Sequence, residues 1–214
     1  MFDLNPRELL QQALLFSVPG FWALTIHEFA HAWTAVRAGD PTPEASGRLT
    51  LNPLAHLDPI GTVCILLVGF GWARPVPVNP YNFRNMRRDN IVVSVAGVGT
   101  NLAMALVSAL IYRFVLGAPI PNFDSITPAS LVQLWVFYSV IINLVLAMFN
   151  LLPIPPLDGS HVVETFVPYK YAHQWAAFSR YGMFILLALI FTGVIDATIG
   201  RVLFPVARFL IWGP

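Results

Sequence analysis

The chain has 214 residues, of which 57% are hydrophobic and only 11% are charged, with a mean hydropathy of +0.67. One soluble core does not need so many apolar side chains, so the composition indicates a membrane protein. Twelve basic and eleven acidic residues leave a net charge of +1, which excludes a global field for recruiting nucleic acid. The single cysteine, Cys64, excludes an intrachain disulfide and a sulfur-rich zinc cluster, and we expect it to pack among apolar side chains.

Four stretches approach the roughly 20 apolar residues that a bilayer-spanning helix needs. They are residues 9–37, 90–116, 129–152 and 174–195. The N-terminus lacks the basic region and cleavage site of a secretory signal, so we expect the first helix to be retained. Two shorter apolar runs, from Ile60 to Trp72 and from Ile199 to Trp212, are interpreted as re-entrant or interfacial segments.

A small β element is predicted between the first two helices. Residues 48–53 and 74–80 alternate in polarity, and both stop at Asn-Pro, which is a turn signal. The prolines of the second segment confine it to the edge of a sheet. The predicted fold class is therefore an all-α polytopic membrane protein with about four transmembrane helices and this β element. We expect residues 1–214 to form a single domain, because no long repeat or linker interrupts them.

Basic residues predict the orientation in the membrane. Arg37 ends the first predicted helix and five more arginines lie between it and the second, whereas the loop from Gly117 to Ser130 has no basic residue. Cytoplasmic loops carry the excess of Lys and Arg, so the arginine-rich side should face the cytoplasm. Alternating helices then place Pro153–Tyr171 on the cytoplasmic side as well and the N-terminus outside. The chain is thus expected to be a multi-pass membrane protein whose arginine-rich loops face the cytoplasm.

The strongest chemical signal is His27-Glu28-Phe29-Ala30-His31 inside the first predicted helix. Residues i and i+4 share a helix face, so two imidazoles there can bind one metal ion. The adjacent Glu28 can take a proton from zinc-activated water and so deliver hydroxide to a carbonyl. The alternative is a pair of core histidines that bond to helix carbonyls, but such groups are costly in a membrane.

A catalytic zinc site needs a third protein ligand besides the two histidines. Four residues near the expected cytoplasmic side have suitable atoms: His56, Asp58, Asp158 and His161. The preceding residues favour Asp158, because their prolines must end the third helix and keep the chain after it extended. Such a chain can return a carboxylate to the helix bundle. Gly159 then permits a close backbone approach. A purely structural turn at Leu157-Asp158-Gly159 remains the alternative.

Together the two motifs resemble the site-2 protease family of intramembrane metalloproteases. The second motif is Asn150-Leu151-Leu152-Pro153-Ile154-Pro155-Pro156-Leu157-Asp158-Gly159. Further segments resemble the compact prokaryotic subgroup without a PDZ domain: residues 47–53, residues 71–80, and Ala96-Gly97 with Asn101. The resemblance implies one zinc ion held by His27, His31 and Asp158, with Glu28 as general base and acid. It also implies that Asn150 positions the substrate carbonyl.

Three asparagines in the predicted helices need polar partners, because a side-chain amide is costly at membrane depth. Asn150 could donate to an oxyanion or bond between helices, and the residues alone leave both open. Asn101 and Asn143 are predicted to bond between helices. His56 and His161 are second candidates for orienting a metal ligand.

The substrate implied by the resemblance is a single-spanning membrane protein or a signal-peptide remnant. Its unwound segment could add as a strand to the edge near Val76 and Val78, which we predict to be substrate-binding residues. Two other function classes stay open. One is a catalytically silent membrane binder of the same fold, and the other is a metal transporter, although no inverted repeat is evident.

Overall fold

The computed structural model describes residues 6–68, 71–117 and 127–213 of the chain. Within these ranges the fold consists of α-helices joined by turns and short extended segments. The helices are α1 Pro6–Ala38, α2 Thr42–Ala45, α3 Pro53–His56, α4 Pro59–Val68, α5 Met86–Ile111, α6 Pro128–Asn150, α7 Asp158–Phe166, α8 Ala172–Phe191 and α9 Val194–Trp212. A π-helical turn, Tyr112–Leu116, extends α5.

Helices α1, α5 and α6 pack against one another and form the centre of the molecule. Helix α1 offers α5 and α6 a buried face of small residues that includes Ala23 and Ala35. Small side chains let helix backbones approach closely, which is how helices commonly associate in a membrane. The short helix α7 packs on α5, and this contact brings its first residue towards α1.

Among the described residues, three helical segments are long and apolar enough to cross a membrane: Met86–Leu116, Pro128–Asn150 and Tyr169–Phe191. They carry many exposed apolar side chains, as expected for surfaces that face lipid; Phe184 and Phe191 are 70% and 81% exposed. These findings support the prediction of an all-α membrane protein. The first predicted span, residues 9–37, corresponds to α1, which has 33 residues but is not among these three segments of the described part of the chain.

The C-terminal helix is longer than the sequence predicts. A left-handed residue, Gly193 at φ +72°, separates α8 from α9, so α9 begins at Val194 and has 19 residues. Its residues Leu203, Ala207 and Ile211 recur every four positions and pack in one buried cluster with α5 and α6. The predicted segment Ile199–Trp212 therefore lies within a 19-residue helix, which is not among the three segments of the described residues that could cross a membrane. The other short run, Ile60–Trp72, includes α4 with ten residues, and its residues 69–70 lie outside the described part.

The two predicted strands do not form. Residues 48–52 and 74–79 are irregular or extended, and the described residues contain only one isolated antiparallel bridge, between Leu57 and Ala73. Residues 74–79, which we call the extended segment, instead bond to side chains and loops. Its prolines 75 and 77 have no N–H to donate, so the segment cannot form a regular ladder.

Candidate metal centre

The two histidines lie on the buried face of α1, four residues apart. His27 is 4% exposed and His31 is 8% exposed. Helix α5 crosses this face at Gly97, where a Cβ atom would lie 2.5 Å from His27 Cε1 and 2.6 Å from His31 Nε2. Real Cβ atoms essentially never come this close to another heavy atom, so only glycine fits without displacing an imidazole.

Asp158 reaches the histidines from the first turn of α7. The chain between α6 and α7 contains three prolines, which end α6 and keep this connection out of a helix. The next residue, Gly159, lies so close to the turn after α6 that a Cβ atom would be 2.4 Å from Leu151 O. The expectation that Gly159 permits a close backbone approach is therefore confirmed, and this approach fixes where α7 begins.

Three potential ligand atoms converge between α1 and α7. His27 Nε2 lies 3.0 Å from His31 Nε2, and each of these nitrogens lies 3.2 Å from Asp158 Oδ2. Among the described residues, His27, His31 and Asp158 form the group of histidine and acidic side chains that could hold a metal ion. Ligands of a tetrahedral zinc ion, with bonds of about 2.1 Å, lie ~3.4 Å apart, which is close to the observed spacing.

The other nitrogen of each imidazole bonds to an oxygen acceptor. His27 Nδ1 lies 2.6 Å from Asn101 Oδ1, and His31 Nδ1 lies 2.8 Å from Val93 O. Since neither oxygen carries a hydrogen, both Nδ1 atoms must donate. In the neutral imidazole this leaves a lone pair on Nε2. Both histidines are therefore held in the tautomer that directs Nε2 towards Asp158.

This arrangement fits a cation. Two imidazole lone pairs and a carboxylate oxygen meet in a buried place, and Asp158 Oδ2 has no hydrogen-bond donor among the described residues. Acceptor atoms that lie this close repel one another unless a proton or a cation lies between them. Two imidazoles and one carboxylate form a ligand set that zinc accepts in catalytic sites.

Glu28 lies beside the converging atoms and contacts the extended segment. Its carboxylate Oε2 accepts a hydrogen bond of 3.0 Å from the backbone N–H of Val76. Arg74 N donates to His56 O at 2.8 Å, and the Arg48 guanidinium donates to Arg74 O. At the other end, Asn79 N donates to Asp40 Oδ2 at 2.7 Å. The extended segment is thus fixed at both ends and at its middle residue.

The three other candidates for the third ligand bond elsewhere. Asp58 Oδ1 accepts from Gly61 N at the start of α4, and His56 Nε2 lies 2.8 Å from Thr50 O. His161 is half exposed and pairs with Glu164 at 3.4 Å. The geometry therefore brings only Asp158, of the four candidates, to the two histidines.

The candidate substrate residues occupy two different environments. Asn150 is half-buried, and its Nδ2 donates to Leu146 O within α6 at 3.1 Å. The backbone N–H of Val76 donates to the Glu28 carboxylate. The Val78 side chain instead packs against the buried cluster of Ala35, Phe83 and Val93. Val78 therefore contributes to the protein core.

Sequence reasoning missed the face of α5 that covers the histidines. It consists of Val93, Gly97 and Asn101, which recur every four residues. Asn101 does bond between helices as predicted, since its Nδ2 donates to Asn143 Oδ1 on α6 at 2.8 Å. Its contact with His27 was not predicted, although the four-residue spacing of Gly97 and Asn101 could have indicated a shared face.

Comparison with known proteins identifies the family. The model of peptidase family M50 matches residues 115–192. A Bacillus subtilis (strain 168) protein named "Putative zinc metalloprotease YwhC" is 38% identical over 209 residues, which cover 97% of this chain and 87% of that protein. A Mycolicibacterium smegmatis protein named "Putative zinc metalloprotease Rip2" is 30% identical, over 81% of this chain and 65% of its own length. The Rip2 protein of Mycobacterium tuberculosis strain H37Rv is 31% identical, over 78% and 62%. No solved structure gives a significant match. With this likeness over nearly its whole length, the chain belongs to peptidase family M50, the site-2 proteases, and is a zinc metalloprotease.

Proposed function

We propose that the protein is an intramembrane endopeptidase, which hydrolyses peptide bonds in or near the transmembrane segments of other membrane proteins. The observation that carries the proposal is the convergence of three acceptor atoms on α1 and α7, next to a glutamate. Helices that can span a membrane pack around this place, since α1 contacts both α5 and α6. A peptide bond cut there would belong to a substrate segment that has entered the membrane.

His27, His31 and Asp158 are the proposed ligands of the zinc ion. When bound there, zinc supplies Lewis-acid chemistry, lowering the pKa of a water molecule and polarising the substrate carbonyl. The protein prepares the ligand set through Asn101 and Val93, which hold the two Nδ1 atoms. The ligands therefore need little rearrangement to bind the ion.

Glu28 is the proposed general base and acid. Hydrolysis requires that the attacking water lose a proton and that the leaving amine gain one, and a single carboxylate can perform both transfers in sequence. The hydrogen bond from Val76 N–H holds one carboxylate oxygen of Glu28 and so orients the other. A carboxylate with a fixed orientation loses less entropy in reaching the transition state.

The substrate is proposed to lie along the extended segment, because that segment contacts Glu28 directly. A membrane helix must unwind before it can be cut, since its carbonyls already bond within the helix. Arg74 N and Val76 N bond to the protein, and prolines 75 and 77 have no N–H. The outer edge of the extended segment therefore offers carbonyl acceptors to a substrate strand, but not the full set of donors and acceptors of a β ladder. Asn150, at the end of α6, is proposed to donate to the substrate carbonyl after giving up its bond to Leu146 O.

The proposed substrates are single-spanning membrane proteins or signal-peptide remnants, and the proposed location is the cytoplasmic membrane of a prokaryote. The arginine-rich connection between α1 and α5 supports a site that faces the cytoplasm. Lipid is the other expected contact of the exposed apolar surface.

The first experiment measures zinc in detergent-purified protein by mass spectrometry, for the unaltered chain and for His27→Ala and Asp158→Ala. We expect about one zinc ion per chain, lost in both variants. The second step reconstitutes the protein with a model single-spanning protein that carries a tag on each side of its membrane helix. A zinc-loaded, folded protein that cuts no such substrate would favour a silent membrane binder. Zinc flux into sealed vesicles that persists in Glu28→Gln would favour a transporter.

A further inference from the structure

We propose that Asn101 is a positioning residue of the metal centre: its amide oxygen holds His27 in the tautomer and ring orientation that metal binding requires. This inference rests on the proposed assignment of His27 as a zinc ligand. It assigns Asn101 a role beyond the interhelical hydrogen bond that the sequence predicts.

The contact between Asn101 and His27 is short and fully buried. Asn101 Oδ1 lies 2.6 Å from His27 Nδ1, and Asn101 is 0% exposed. No water can replace the amide oxygen in such a place without a cavity to hold it. If the amide were removed, His27 Nδ1 would lose its acceptor, and an unpaired buried N–H is unfavourable.

The orientation of the Asn101 amide is fixed by its other end. Its Nδ2 donates to Asn143 Oδ1 at 2.8 Å and to Ala23 O at 3.3 Å. Ala23 O is a backbone carbonyl and can only accept, so the nitrogen of Asn101 must face α1 and α6. The oxygen must then face His27, and His27 Nδ1 must carry the proton.

A fixed tautomer has a direct consequence for metal binding. A free imidazole exchanges its proton between the two nitrogens and rotates about two side-chain bonds. The acceptor at Nδ1 removes both freedoms, so the lone pair of Nε2 points to the place where His31 Nε2 and Asp158 Oδ2 also converge. Outer partners of this kind commonly raise metal affinity by about 10–100-fold.

The two histidines are held by different kinds of acceptor. His31 Nδ1 bonds to the backbone carbonyl of Val93, which no substitution removes directly. The acceptor for His27 Nδ1 is a side chain, so a substitution at Asn101 can remove this hydrogen bond without changing the backbone. Asn143 belongs to the same polar cluster, but it bonds to Asn101 and, at 2.8 Å, to Ser139 O rather than to a histidine.

The test compares Asn101→Leu, Asn101→Asp and Asn143→Leu in full-length detergent-purified protein. For each variant, zinc affinity is measured by competition with a coloured chelator, and stability is measured by thermal unfolding of the zinc-free protein. We expect Asn101→Leu to bind zinc about 10–100-fold more weakly, with one ion still bound at saturation. Asn101→Asp keeps an oxygen acceptor for His27 but loses the donor to Asn143 and Ala23. It should therefore lose stability and largely keep zinc affinity, and Asn143→Leu should behave in the same way.

Two results would overturn the proposal. One is unchanged zinc affinity in Asn101→Leu; the other is an affinity that falls in step with stability in all three variants, as a purely structural role requires. If Asn101→Leu does not fold, the comparison of Asn101→Ser with Asn101→Asp decides the question, because only the aspartate keeps a carboxylate acceptor at the same distance from the backbone. His27→Ala belongs to the same series. If it binds zinc as tightly as the unaltered protein, the ligand assignment itself fails, which is a different result from a failure at Asn101.

Discussion

Glu28 accepts a hydrogen bond of 3.0 Å from the backbone N–H of Val76, although 48 positions separate the two residues in the chain. The bond links the helix that carries the histidines to the extended segment proposed to guide the substrate. Because the bond uses a backbone group, it persists when the Val76 side chain is changed. The carboxylate is thus oriented by the fold, and its chemistry can be tested separately from its position.

The first prediction concerns Glu28→Gln. The amide has nearly the same size, and its oxygen can still accept from Val76 N–H. Glu28 is not one of the three proposed zinc ligands, so Glu28→Gln should keep its zinc. Without a base, cleavage should fall by about 10²–10⁴-fold. The measurement is the cleavage rate of the tagged single-spanning substrate together with the zinc content.

Glu44→Gln is the matched control for this variant. Glu44 is exposed on the short helix α2, and we expect it to leave both cleavage and zinc content unchanged. Cleavage by Glu28→Gln at the unaltered rate would exclude Glu28 as the base.

The second prediction separates the candidates for the third ligand. Asp158→Asn replaces a charged oxygen with a neutral amide and should greatly weaken zinc binding, because a catalytic site depends on all three protein ligands. Asp58→Asn is the matched control, since Asp58 also lies at the start of a helix and asparagine caps helices equally well. Zinc content by mass spectrometry should fall only in the first variant. The reverse pattern would transfer the ligand role to Asp58.

The sequence predicts the helices that are regular and apolar over their whole length. The predicted spans 90–116 and 129–152 agree with Met86–Leu116 and Pro128–Asn150 to within a few residues. The 3.6-residue period also places His27 and His31 on one face without tertiary information. Asp158 could be favoured in advance because prolines must end α6 before it.

The elements that were missed depend on contacts that a local pattern does not contain. Alternating polarity in residues 74–80 predicts a strand, but a strand needs a partner edge, and these residues bond to Asp40 and Glu28 instead. The pairing of Asn101 with His27 joins positions 74 residues apart. Their proximity is set by how closely α5 approaches α1 at Gly97, which only the packed structure determines.

The third prediction tests the extended segment as the substrate-binding surface. Val76→Phe adds bulk where a substrate strand would lie beside Glu28, so it should slow cleavage while zinc content stays near one ion per chain. Val132→Phe is the matched control, because Val132 is exposed near the opposite end of α6 from Asn150. Cleavage rates that are equal in both variants would exclude this surface. Val78 is unsuitable for this test, because Val78→Phe would also disturb the buried cluster around Phe83.

The fourth prediction concerns Asp40, which fixes the far end of the extended segment. Its buried carboxylate accepts hydrogen bonds from the Asn79 and Thr42 backbone N–H groups, the Thr42 hydroxyl and the Asn82 amide. Burial alone would raise the pKa of Asp40, but these hydrogen bonds outweigh it and lower the pKa below its ordinary value. Asp40→Ala should reduce the free energy of unfolding by on the order of 3 kcal/mol at neutral pH, because several bonds to a charged group are lost.

The pH dependence follows from the direction of that shift. A carboxyl group with a lowered pKa in the folded state stabilises the fold fully above its unfolded pKa of about 3.9. This contribution is lost as the pH falls through the lower folded value. The difference between the unaltered protein and Asp40→Ala should therefore narrow in acid. Thermal unfolding of both proteins in detergent over a pH series measures it, and a difference that widens below about pH 4 would contradict the assignment.

The fifth prediction compares two glycines of α5 that lie two residues apart. A Cβ atom at Gly97 would lie 2.5–2.7 Å from atoms of His27 and His31, whereas a Cβ atom at Gly99 would have no heavy atom within 4 Å. Gly97→Ala should thus push an imidazole aside, weaken zinc binding and destabilise the fold by about 1–3 kcal/mol through overpacking. Gly99→Ala gains helix propensity without a clash and should stabilise the protein by about 0.5–1 kcal/mol. Zinc affinity and thermal unfolding measure both effects. Both variants add the same methyl group to the same helix. Equal zinc affinity in the two would therefore contradict the close contact between Gly97 and the imidazoles of His27 and His31.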